Sequence, residues 1–128
     1  MKRYFILVGI IVAVVSLNFK MVNLEKRGAL SWNSLSYDFG QIEKDNPVTA
    51  QFSFENTGDQ SLMIINVKGS CGCTVADYTK GEIRPGELGE VTATYNAAKV
   101  GAFNKTVTVT ASAGDEPIVL TIKGEVVE

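Results

Sequence analysis

Val48, Ala50, Phe52 and Phe54 alternate with Thr49, Gln51, Ser53 and Glu55. Strict period two sends one set of side chains to one face of an extended chain and the other set to the opposite face, which a helix of about 3.6 residues per turn cannot do. The segment therefore reads as a strand with an apolar face on a core and a polar face in water. Such a strand needs neighbours to pair with and a second layer over its apolar face. The rest of the chain supplies them. Val91, Ala93 and Tyr95 alternate with Thr92, Thr94 and Asn96; Phe103, Val107, Val109 and Ala111 with Asn104, Thr106, Thr108 and Thr110; Ile118, Leu120 and Ile122 with Val119, Thr121 and Lys123.

Less regular strands are predicted at residues 37–42, 62–68 and 73–76, which brings the total to seven. Turn chemistry separates them. Asn56-Thr57-Gly58-Asp59 ends the first clear strand, Pro47 and Pro117 stand before strands, and Pro85-Gly86 suits the centre of a type II turn. Beyond the N-terminal apolar leader no stretch keeps a helical period, and Val, Thr and aromatic residues are plentiful. The expected architecture is all-β, a seven-stranded immunoglobulin-like β-sandwich preceded by that leader. A domain this small has little apolar material to spare, so Phe39, Phe52, Phe54, Tyr95 and Phe103 are assigned to its core. Trp32 is either a plug on the sandwich or a spacer residue.

Residues 1–17 form the leader. Lys2 and Arg3 precede an apolar run over residues 4–15, which Ser16, Asn18 and Lys20 bring to an end. The run falls short of the roughly 20 apolar residues of a spanning helix. Val14 and Ser16 fit the small-residue positions of a signal-peptidase site, so one reading is a signal peptide cut after Ser16. The other is an uncleaved signal anchor using residues 4–19, and Lys20, Lys26 and Arg27 beyond the run leave the positive-inside rule undecided. Both readings export the domain to the periplasm or cell envelope, with membrane contact only through the leader if it is retained. No Cys follows the run to carry a lipid. Residues 18–34 read as a polar spacer and residues 35–128 as the immunoglobulin-like domain, close to the roughly 100 residues such a sandwich needs.

Charge and composition narrow the chemistry. Lys and Arg number 12 against 14 Asp and Glu, a net charge of -2, so no basic stripe waits for phosphates and no nucleic-acid partner is expected. The chain has no His, which removes Ser-His and Cys-His nucleophile pairs and imidazole ligands for zinc. Glu43, Asp45, Glu82, Glu87, Asp115, Glu116 and Glu125 are scattered, without the pairing of glycosidase carboxylates or a calcium loop. Asn104-Lys105-Thr106 matches a glycosylation acceptor but is explained by strand alternation. The chain is read as no enzyme, with no catalytic, cofactor-binding or metal-binding residues assigned.

One constellation has chemical content: Gly69-Ser70-Cys71-Gly72-Cys73-Thr74. Two cysteines in an exported chain suggest a disulfide. In an extended strand, however, residues i and i+2 hold their Cα atoms about 6.5 to 7 Å apart, at the limit for a bridge. A bond requires the chain to curl at Gly72, and its tiny loop would remove little unfolded-state entropy. Three readings stay open. The thiols are small apolar groups under a tight turn; or they form a readily reduced bridge open to mixed disulfides; or they bind a soft metal such as Cu(I), zinc requiring further ligands such as Asp77. No cation adjoins the pair in sequence, so lowering a thiol pKa would fall to Lys68 or Lys80 through the fold. Cys71, Gly72, Cys73 and Thr74 are the candidate redox or binding turn.

The series Tyr37-Asp38-Phe39-Gly40-Gln41-Ile42, Phe52-Ser53-Phe54-Glu55-Asn56-Thr57-Gly58 and Ser70-Cys71-Gly72-Cys73-Thr74-Val75 resembles a bacterial domain-of-unknown-function family, number fifteen-seventy-three, found in exported proteins. Ile83-Arg84-Pro85-Gly86-Glu87, Gly101-Ala102-Phe103-Asn104-Lys105 and Leu120-Thr121-Ile122-Lys123-Gly124 continue it, so the resemblance spans residues 35–128. It implies an immunoglobulin-like sandwich similar to hydin-type and sperm-protein-like modules, with no established activity, and it makes the Cys-Gly-Cys turn a hallmark. It departs at Ala76, where members often carry Pro, which implies a less rigid loop after Val75. The expected function is a non-enzymatic exported module that binds or organises a protein partner at the cell envelope. The rival is a thiol-redox or copper-handling protein using the Cys71-Gly72-Cys73 turn.

Overall fold

A computed structural model describes residues 29–112 and 116–128. The leader expected at residues 1–17 lies outside them, as does most of the expected spacer. The described chain forms eight strands: β1 (Leu30–Trp32), β2 (Ser36–Glu43), β3 (Val48–Asn56), β4 (Ile64–Gly69), β5 (Thr74–Tyr78), β6 (Leu88–Tyr95), β7 (Gly101–Ala111) and β8 (Ile118–Val127). They build two four-stranded sheets, ordered β1-β3-β6-β5 and β2-β8-β7-β4. All pairings are antiparallel except β2 with β8. Among the described residues no helix is long and apolar enough to cross a membrane.

The all-β sandwich is as expected, but the strands number eight rather than seven. The addition is β1, which pairs with the end of β3 and so starts the sheet at Leu30, inside the segment read from the sequence as spacer. Three residues are too few for a period to show. Their place is set by a tertiary contact instead: the Trp32 ring packs on Phe54 at 4.8 Å between centroids.

The alternation of β3 becomes burial as predicted. Ala50, Phe52 and Phe54 are enclosed while Thr49, Gln51 and Glu55 face water. Val91, Ala93 and Tyr95 of β6 meet Val107, Val109, Leu120 and Ile122 of the other sheet. Burying each large side chain is worth about 1.5–3 kcal/mol. The layers are tied where Tyr95 stacks on Phe103 at 4.0 Å. Phe39, expected in the core, is only half-buried against it, because β2 is an edge strand with one flank open. The Pro85-Gly86 turn forms as expected, with Gly86 at φ 85° and the Glu87 amide donating to the Arg84 carbonyl at 2.9 Å.

Because β4 ends one sheet and β5 begins at the edge of the other, the connection through residues 70–73 crosses between layers. The Cys-Gly-Cys segment is that crossing.

Candidate functional site

The corner is pinned at both ends by backbone. The Ser70 amide donates to the Thr106 carbonyl at 2.9 Å, and the Thr106 amide returns a bond to Ser70 Oγ at 3.1 Å. On the far side the Asn96 amide donates to the Cys73 carbonyl at 3.0 Å. Between them the Thr74 amide reaches back to the Cys71 carbonyl at 3.3 Å and closes a tight turn. The turn draws the Cys71 and Cys73 Cα atoms to 5.3 Å, well inside the range a disulfide accepts, and the two sulfurs are bonded.

The bond removes the reading of two free thiols under a turn. Extended-strand spacing, which would keep the sulfurs apart, does not apply because residues 71–73 lie before β5 rather than in it. The curl does not come from Gly72, which takes no left-handed φ and has nothing within 4 Å of where a Cβ would stand. The crowded glycine is Gly69, where a Cβ would come within 2.9 Å of the Thr74 carbonyl oxygen.

Gly72 is exposed, Cys71 and Cys73 are half-buried, and Cys73 packs against the core. Thr74 is enclosed, and its Oγ1 stands 3.7 Å from Cys71 Sγ and 4.0 Å from Cys73 Sγ. Bonded sulfurs carry no hydrogen, so the hydroxyl is the donor in both contacts. Lys80, a candidate to tune the thiols, is committed elsewhere: its Nζ is 3.2 Å from Asp77 Oδ1 and 3.2 Å from the Tyr78 ring centroid. The Tyr78 amide, and after it Lys80, holds the Asp77 carboxyl below the usual carboxylate value. Lys68 is exposed on β4. Among the described residues no three His, Cys, Asp or Glu side chains gather to hold a metal, and a bridged pair offers no thiolate to Cu(I). Ala76 lies inside β5 opposite Ala93, so the segment after Val75 is a paired strand rather than a loop.

The four sheet edges are not alike. β1 spans three residues, and β2 and β4 are interrupted by register shifts, between Asp38 and Gln41 and between Ile64 and Asn66. Bulges and short strands are how proteins blunt an edge against unwanted pairing. β5 runs in unbroken register on β6 from Thr74 to Tyr78, with its other flank open in the sheet order, and Val75 on it is 68% exposed.

Asn56, a turn former by its sequence context, is a buried hub. Its Nδ2 donates to the carbonyls of Gln60 and Ile83, both at 2.9 Å, and its Oδ1 accepts from the Gly58 amide at 3.0 Å. The signal available in the sequence is the Asn-Thr-Gly order, which suits a side chain that caps an amide two residues on.

The family described as "Protein of unknown function (DUF1573)" matches residues 30–126. No match was found among curated proteins. Among solved structures, a protein of unknown function from Porphyromonas gingivalis W83 superposes with a TM-score of 0.68 at 18% identity, over 84% of this chain and 51% of that one. This chain thus spans about half its length. The ASH / PapD-like domain 7 of human CEP192 gives a TM-score of 0.64 at 11% identity, over 85% and 92% of the two chains. The secreted serine protease VesC from Vibrio cholerae gives 0.59 at 15% identity, over 77% and 23%. These likenesses establish a PapD-like, immunoglobulin-type sandwich.

Proposed function

The chain belongs to the DUF1573 family, and on that premise we propose that it is an exported, non-enzymatic immunoglobulin-like module that binds a protein partner at the cell envelope through the open edge of β5. The observation that carries this reading is that edge itself. It is the one described edge longer than three residues that keeps unbroken register; the Thr74 and Tyr78 amides on its outer flank are taken by the Cys71 carbonyl and Asp77 Oδ1, and the Ala76 backbone between them is left open next to exposed Val75. Such an edge accepts an extended segment as an added strand, with main-chain hydrogen bonds supplying affinity and alternate side chains supplying selectivity. The Cys71–Cys73 bond supports export, since disulfides persist in oxidising compartments.

A photo-reactive side chain placed at Val75 tests it in cells. The expected result is one discrete adduct with an envelope protein from Val75 and none from Gln51, which is exposed on β3 of the same sheet. Equal or absent labelling at the two positions overturns the reading.

A second reading has its own observation. The bonded sulfurs sit at an accessible corner with one residue between them, which favours thiol–disulfide exchange at Cys71 and Cys73. Copper handling is confined on this reading to the reduced pair.

A further inference from the structure

Thr74 combines three features that the static bridge does not need. It is 7% exposed, it opens β5 opposite Tyr95, and its hydroxyl has the two bridge sulfurs as its hydrogen-bonding partners among the described residues. A buried hydroxyl without a good acceptor costs stability, and a bonded disulfide sulfur is a poor acceptor. A thiolate is a strong one, and a hydrogen bond to an ion is about twice as strong as one between neutral groups. The donor is therefore poorly served when the bridge is closed and well served when it opens.

We infer that the Thr74 hydroxyl is a positioning group that stabilises the thiolate released when the Cys71–Cys73 bridge is opened, which makes this corner a reversible dithiol/disulfide couple rather than a staple. The inference rests on the exchange reading of the bridge. The chemistry balances with an external dithiol as co-reactant. One of its thiolates attacks one bridge sulfur; the bridge bond breaks as a mixed disulfide forms, and the electron pair leaves on the other cysteine as a thiolate that accepts the Thr74 O–H. The dithiol's second thiolate then attacks its own sulfur in the mixed disulfide and frees the second cysteine. The bridge gains two electrons and two protons and the dithiol loses them. Rotation of the O–H serves whichever sulfur leaves, since Oγ1 lies 3.7 Å from one and 4.0 Å from the other.

The charged side chains on the strands and connection around the turn are Lys68 of β4, Asp77 of β5, Glu90 of β6, Lys99 of the β6–β7 connection and Lys105 of β7, and Tyr78 of β5 and Tyr95 of β6 add phenols. None of them hydrogen-bonds to either sulfur among the described residues, where Thr74 fills that role.

The test measures the opening of the bridge in the folded, oxidised protein by dithiothreitol at neutral pH, with quenched alkylation as readout. Thr74→Val keeps the branched shape and removes the donor. It is expected to slow opening roughly tenfold, the order expected for one hydrogen bond to a charged group, while Thr74→Ser stays close to the parent. In the reduced parent, alkylation against pH is expected to show one thiol titrating below the about 8.5 of an unperturbed cysteine, and Thr74→Val to move it up. Equal opening rates for parent and Thr74→Val overturn the inference but leave exchange standing. A bridge that dithiothreitol opens only after unfolding overturns both. If Thr74→Val fails to fold, the parent's titration decides: a lowest thiol pKa at or above about 8.5 overturns the role of Thr74.

Discussion

Asn56 Nδ2 donates to the Ile83 carbonyl at 2.9 Å across 27 residues of sequence, fastening the end of β3 to the segment before β6. The rest of Asn56 is occupied too. Its backbone amide donates to the Glu87 carbonyl at 3.0 Å, and its carbonyl accepts from the Gly86 amide at 2.7 Å, so this fully buried polar residue carries no unmet group. Leu62 and Ile83 pair beside it as an isolated bridge.

Asn56→Ala is expected to destabilise the domain by about 3 kcal/mol, because it removes three side-chain hydrogen bonds at a fully buried position, each worth about 1 kcal/mol, and leaves the Ile83 carbonyl with only its bond from the Leu62 amide. Asn56→Asp separates donor loss from volume loss. Its carboxylate would face two carbonyls, so its pKa in the fold rises. The variant then loses stability relative to the parent as pH rises through that pKa and regains part of it on protonation. Denaturant midpoints at acid and neutral pH check the sign.

Gly89 lies beneath the Phe54 ring, where a Cβ would stand 2.8 Å from Cε2. Phe54 is 1% exposed and is also held by Trp32, so the ring has nowhere to swing. Gly89→Ala is expected to cost about 1–3 kcal/mol, the usual range for overpacking. Adding Phe54→Leu to Gly89→Ala should cost less than the sum of the single changes, since the two share one clash. Thermal melts of the four proteins measure the coupling.

What can be read from the sequence follows from how locally each feature is encoded. The strands β3, β6, β7 and β8 declare themselves because side-chain alternation is a property of the strand alone. β1 does not, since a three-residue strand exists only through its register with β3 and the Trp32 contact. Residue type alone assigns Phe39 to the core, but burial depends on whether a strand is central or at an edge. At the site, the cysteine pair stands out by composition, whereas its bond depends on the turn closed by the Thr74 amide. The enclosure of Thr74 beside the sulfurs arises from two sheets meeting, which no window of sequence contains.

The two glycines at the corner should respond oppositely. Gly69→Ala is expected to destabilise by about 1–3 kcal/mol, because its Cβ would press on the Thr74 carbonyl, a backbone atom fixed in β5. Gly72→Ala should be within about 0.5 kcal/mol of the parent, since the position is exposed and open. Mass spectrometry of both variants under oxidising conditions gives a second readout. The bridge should form fully in Gly72→Ala and less completely in Gly69→Ala.

Asp77 gives a pH prediction whose sign is set by its partners. The Tyr78 amide donates to Asp77 Oδ1 at 2.8 Å and Lys80 Nζ at 3.2 Å, so the charged carboxylate is favoured in the fold and its pKa lies below the ordinary 3.8. A depressed carboxyl pKa contributes stability above the unfolded-state value and loses it as pH falls through the folded one. The effect should be small, because the whole group is in water and salt screens the pair with Lys80. The Asp77 side-chain carbon signal should titrate below that of an unstructured Asp. In Lys80→Met, with the Tyr78 amide still donating, it should move only part of the way back. A complete return to the unperturbed value would instead assign the shift to the ion pair and put Lys80 ahead of the Tyr78 amide as its cause.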